Sequence, residues 1–163
     1  MRTRIQLLIL AGGMSLLLGA CNQEEASAPV AKSGPAADAE FSGAMPRTES
    51  AAGARVFFIT PADGDSVSSP VRIEFGIEGM AVVKAGENAP SSGHHHLLVN
   101  TGLPELGLPI PADSNHIHFG DGSTATELSL EPGEHTLQLL LGDHLHIPHD
   151  PPVVSETITV TVQ

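Results

Sequence analysis

Ser155–Val162 reads SETITVTV, with Ile158, Val160 and Val162 on every second position. A period of two marks a strand with one buried face and one wet face. Val71–Ile77 (VRIEFGI) repeats the pattern, with Val71, Ile73, Phe75 and Ile77 on one side. Further strand-like runs are RVFFIT (Arg55–Thr60), MAVVKAG (Met80–Gly86), HHHLLVN (His94–Asn100), HIHFG (His116–Gly120), TATELSL (Thr124–Leu130) and HTLQLLLGD (His135–Asp143). Gly, Pro, Asp and Asn separate them, in PADGDSVSSP (61–70), ENAPSSG (87–93), the excursion TGLPELGLPIPADSN (101–115) and the loop HLHIPHDPPVV (144–154). Helical periodicity is nearly absent. Seven to eight short strands without crossover helices predict an all-β domain over residues 55–163, an antiparallel immunoglobulin-like β-sandwich. The EPGE turn (Glu131–Glu134) predicts a hairpin between the 124–130 and 135–143 strands. With no Trp and one cysteine, Cys21, the core must be aliphatic and free of disulfides.

The segment before residue 55 reads differently. Arg2 and Arg4 precede the apolar run IQLLILAGGMSLLLGA, which is short and broken by Gly for a membrane span. Leu18-Gly19-Ala20-Cys21 resembles the bacterial lipobox. The resemblance implies a signal peptide over residues 1–20, cleavage before Cys21 and lipid on its sulfur, which anchors the chain to a membrane without spanning it. Asn22 after the cysteine implies, by resemblance to Gram-negative lipoproteins, the outer membrane, with the domain facing periplasm or exterior. Residues 22–54 are Ala, Ser, Gly, Pro and Glu with few large apolar side chains. Such a composition cannot offset its ordering entropy, so residues 21–54 are expected to form a disordered tether. Loss of Arg2 and Arg4 would leave five basic residues against nineteen acidic ones. That balance argues against nucleic acid and anionic lipid as partners and is compatible with cations.

All nine histidines lie between His94 and His149. Strand parity sorts them. In HIHF, Ile117 and Phe119 claim the core, so His116 and His118 project together to the other side. In HHHLLV, His94 and His96 share one face, and His95 shares the other with Leu97 and Val99. Two facing His-x-His strands offer imidazole nitrogens suited to Zn(II), Cu(II) or Ni(II). The Pro-stiffened GDHLHIPHDPP loop adds His146 and His149, with Asp143 and Asp150 nearby. His94, His96, His116, His118, His146 and His149 are therefore the candidate ligands, with copper or zinc as the cofactor. His135 and His95 read as structural, and His144 as a solvated loop residue. The competing role for the six is a hydrogen-bonded network that ties loops to the sheet.

GHHHLLVNTG, PIPADSNHIHFGDG, TELSLEPGEHTLQLLLGD and HIPHDPPVVSETITVTV resemble the bacterial family known as domain of unknown function 4399, over about Gly93–Val162. The resemblance implies a small secreted or lipid-anchored β-rich domain and assigns no ligand.

Three functions compete. A metal-binding module is favoured over an enzyme. Met80 is the only methionine of residues 55–163, so a Met-rich Cu(I) site is not expected. HIHFGDG is similar to the His-x-His strand of copper-zinc superoxide dismutases, but the disulfide cysteines and further ligand spacing are missing. No nucleophile elbow appears, which leaves a metal-bound water as the remaining hydrolytic option. The third function is an immunoglobulin-like structural or interaction module of the envelope.

Overall fold

The computed structural model describes residues 45–163. The signal segment, Cys21 and residues 22–44 of the expected tether lie outside the described residues. Nine strands and no helix occur among the described residues: β1 (Arg55–Thr60), β2 (Ser66–Val67), β3 (Val71–Glu78), β4 (Ala81–Val82), β5 (Ser92–Val99), β6 (His116–His118), β7 (Ala125–Leu128), β8 (Gly133–Gly142) and β9 (Ile158–Val162). They form a three-stranded sheet, β1-β3-β7, and a six-stranded sheet, β2-β9-β8-β5-β4, with β6 also on β5.

The alternating residues build the layer between the sheets. Val71, Ile73 and Phe75 of β3 meet Leu97 and Val99 of β5, Leu137, Leu139 and Leu141 of β8, and Val160 and Val162 of β9 in one buried cluster. Phe75 and Phe119 are the phenylalanines of this buried cluster, and its other apolar members are Val, Ile and Leu, so the core is mainly aliphatic, as the lack of Trp and Tyr requires.

The expected 124–143 hairpin does not form. β7 pairs with β3, joining Val71 to Leu128, while β8 pairs with β5 and β9. β8 pairs with β9 over Gly133–Leu137 and with β5 over Leu137–Gly142, while β7 joins the other sheet. The EPGE turn instead carries the chain from one sheet to the other. Two strand pairs are parallel, β2 with β9 and β4 with β5, so the larger sheet is mixed rather than antiparallel. Both β2 and β4 have two residues, too few to show a period.

β5 is buried along all eight residues. Its inner face looks into the core. Its outer face is covered by the 101–115 excursion and the 143–154 loop, where Leu98, Ile110 and Leu140 form a second small cluster with Val154 packed on it. Residues 45–54, assigned by composition to the tether, also belong to the domain. Asp150 N donates to Thr48 O (2.9 Å) and Ser50 N to Asp150 O (3.1 Å), a parallel bridge centred on Glu49 and Asp150. Arg47 adds hydrogen bonds to the Pro148 and His149 carbonyls. Backbone pairing and one arginine hold this segment, and neither registers in a count of apolar side chains.

Candidate metal centre

The outer face of β5 carries His94 and His96. Register brings β6 alongside, with His96 opposite His118. On the other edge, β8 sets Gly142 opposite His94 and Leu140 opposite His96. Two glycines make room for the rings. A Cβ on Gly142 would stand 2.8 Å from His96 Cε1, and a Cβ on Gly120 would overlap the His118 imidazole.

A fourth ring, His146, arrives from the loop after β8. Ring centroids of His94 lie 4.8 Å from His96, 4.9 Å from His118 and 4.9 Å from His146. His118 lies 5.1 Å from His96 and 4.8 Å from His146, and the longest separation, His96 to His146, is 6.0 Å. One ligand nitrogen from each of His94, His96 and His118 lies within 4.8 Å of the others, so these three could hold a metal ion. Nitrogens around a tetrahedral zinc with bonds near 2.05 Å stand about 3.3 Å apart.

His94 and His96 are buried, at 0% and 1% exposure, whereas His118 is exposed. Both nitrogens of His94 and Nδ1 of His96 have no hydrogen-bond partner. Buried polar atoms are nearly always partnered, and each orphan costs about 1–3 kcal/mol. Burial, then repulsion from neighbouring imidazoles, lowers the His94 pKa to about 4 and that of His96 to about 2. Burial followed by His146 also lowers His118. His94, His96 and His118 are therefore held toward the neutral form, which keeps lone pairs for a cation.

The family model for the domain of unknown function DUF4399 matches residues 73–163, more than half of the chain. The chain belongs to the DUF4399 family. The match starts within β3 and contains all nine histidines, while β1, β2 and residues 45–54 precede it. No curated protein and no solved structure matches the chain.

Of the six candidate ligands, the DUF4399 domain gathers His94, His96, His118 and His146. The other two sit elsewhere. His116 shares the outer face, but its Nδ1 bonds Asp113 Oδ1 at 2.8 Å, a contact that holds the Asp113 carboxyl below its ordinary range. Parity correctly put His116 beside His118, yet the Asp113 turn captures its ring. His149 is fully buried, with Nε2 donating to Ser92 O (3.1 Å) and Cε1 close to where a Cβ on Gly93 would be. It staples the loop to β5. His135 accepts from Asn100 Nδ2 (2.9 Å) and donates to Glu131 O (2.8 Å), the expected structural role. His95 faces the core, edge-on to Phe75 at 4.7 Å, with neither nitrogen partnered. His144 is half-buried in the loop.

Asp143, noted from sequence only as a neighbour, organises the loop that carries His146. Its Oδ1 accepts from Leu145 N (2.8 Å) and Ile147 N (3.0 Å), and its Oδ2 from Thr48 Oγ1 (2.6 Å). Burial acts to raise this carboxyl, but the bonds from Thr48, Ile147 and Leu145 outweigh it and hold the pKa below the usual range. Nothing in the Ala- and Ser-rich sequence around Thr48 signals that role.

Proposed function

We propose that this DUF4399 protein binds a transition-metal ion, copper(II) or zinc(II), through His94, His96, His118 and His146, while a lipid on Cys21 holds it at the cell envelope. The observation that carries the reading is the convergence of buried imidazole nitrogens that have no hydrogen-bond partner. Stapling histidines look different: His149 and His135 each reach a backbone carbonyl. His95 is the useful contrast, because its orphaned nitrogens face hydrocarbon and meet no other ligand. Orphaned nitrogens alone do not make a site; four rings around one point do.

The donor set supports the choice of metal. Imidazole suits Zn(II) and Cu(II), whereas Cu(I) favours sulfur, and the one cysteine is assigned to the lipid. His94, His96 and His118 bring ligand nitrogens within 4.8 Å of one another, and with His146 as the fourth ligand the shell would be tetrahedral and closed to an attacking water. This favours capture or buffering over hydrolysis. The strand order also supports the immunoglobulin-like reading. β1, β3 and β7 match the A, B and E strands, and β2-β9-β8-β5-β6 match A′, G, F, C and C′, including the parallel β2–β9 pair.

The test uses the full chain, purified without a histidine tag and dialysed against Zn(II) or Cu(II). About one equivalent of metal should bind, and free metal at a hundred times Kd should add about 2.7 kcal/mol of stability. His96→Ala and His118→Ala should each abolish that gain, and His144→Ala should keep it. If uptake matches that of an equally acidic control protein, the metal reading fails and an envelope scaffolding module takes its place. Mass spectrometry of membrane-extracted wild type and Cys21→Ser tests the lipid.

A further inference from the structure

Three of the four rings sit on paired strands, and the fourth does not. His146 lies on a loop, at φ +66°, in the left-handed region that side chains other than glycine rarely adopt. Such a conformation persists only when its surroundings enforce it. Three groups do so here. His146 N donates to Asp143 O (2.9 Å), Ile110 N of the excursion donates to His146 O (2.8 Å), and the Asp143 carboxylate pins the flanking amides of Leu145 and Ile147.

The Asp143 carboxylate is itself oriented from a distant part of the chain. Thr48 Oγ1 donates to its Oδ2 at 2.6 Å, across 95 residues. On the far side of the same loop, Arg47 Nε donates to Pro148 O at 2.9 Å, its Nη2 donates to His149 O, and its Nη1 stands 3.3 Å from Asp150 Oδ1. The paired backbone around Glu49 and Asp150 closes this contact. The segment 47–50 thus straps the loop at both its start and its end.

We infer that the Arg47–Ser50 strap sets the affinity of the metal site by holding the His146 loop against β5 and β6, with Thr48 and Arg47 as positioning residues that touch no metal. This rests on the metal reading above and adds its regulation: seating of the strap and binding of the ion are linked. Linkage is reciprocal, so whatever the strap contributes to metal affinity, metal returns to the seating of the strap. Lifting the strap leaves a three-histidine site with an open position.

The experiment compares full-length wild type, Thr48→Val, Thr48→Ser, Arg47→Ala and His146→Ala, with Zn(II) affinity by chelator competition and coordination by Co(II) absorption. Removing an outer-shell partner commonly weakens metal binding 10–100-fold. Thr48→Val and Arg47→Ala should weaken Zn(II) by about tenfold or more, and Thr48→Ser, which keeps the hydroxyl, should restore affinity to within about threefold of wild type. Co(II) in wild type should show the intense bands of four-coordination, and His146→Ala and Thr48→Val should share a weaker spectrum. Hydrogen exchange gives a readout that a merely structural strap would not move: Zn(II) should slow exchange at the Ser50 and Asp150 amides in wild type and not in His146→Ala. Wild-type affinity and spectrum in Thr48→Val, or strap amides indifferent to Zn(II), would overturn the strap while leaving the site intact. A wild type that takes up neither metal ion would overturn the proposed function itself.

Discussion

Acidification of the metal-free protein tests the burial of its imidazoles most directly. His95 and His96 are 0% and 1% exposed, and burial lowers their pKa values to about 4 and about 2. In the unfolded chain each titrates near 6.5. The unfolded state therefore takes up protons first, and stability rises with pH through this window. The contribution is complete above pH 6.5 and is lost as pH falls, through about 4 for His95 and further for His96. One pH unit of such imbalance is worth about 1.4 kcal/mol per group, so each of the two costs about 2 kcal/mol at pH 5, about 4 kcal/mol together. His94, lowered to about 4, acts in the same direction, by less, because its cluster opens to solvent at the exposed His118. Small domains have only about 5–15 kcal/mol in total, so the metal-free chain should unfold cooperatively between about pH 5 and pH 4. Urea titrations at pH 7, 6 and 5 measure this, followed by far-ultraviolet circular dichroism since the chain has no Trp or Tyr. The midpoint should fall with pH at constant m-value. A loss below about 1.4 kcal/mol between pH 6.5 and 5 would refute the reasoning, because it would mean that these rings protonate while still folded.

His95→Leu should raise stability at pH 7 by about 1–3 kcal/mol, since it removes two buried unpartnered nitrogens from a hydrocarbon setting, and should flatten the pH dependence in the same urea assay. Gly120→Ala should expel the exposed His118 ring and weaken Zn(II) by tenfold or more, while the metal-free melting curve stays close to wild type. Gly142→Ala presses instead on the buried His96 and on Ile110 Cδ1 at 3.2 Å, and should cost about 1–3 kcal/mol of folding stability by chemical denaturation. Ser155→Ala leaves the buried Leu139 N–H without its 2.8 Å acceptor and should cost about 1–3 kcal/mol, with no effect on metal uptake.

Local alternation determined a good deal about this protein. It located the long strands, placed Leu97, Val99, Ile117 and Phe119 toward the core, and turned His94, His96, His116 and His118 to the opposite face. Parity is a property of the extended backbone, so it can be read without knowing which strands are neighbours. It could not tell His116 from His118, because a turn three residues back supplies Asp113 to one ring and nothing to the other. Nor could it reveal that β8 takes β9 and β5 as partners while β7 crosses to β3 in the other sheet. The strap is the clearest case. Arg47 and Thr48 sit in a stretch whose composition signals no core, and their value lies wholly in partners about 100 positions away. Side-chain periodicity is local and belongs to the sequence. Convergence of four rings, and the brace that holds the fourth, depends on strand order and loop closure, which arise only when distant segments compete for the same edges and the same buried hydrogen bonds.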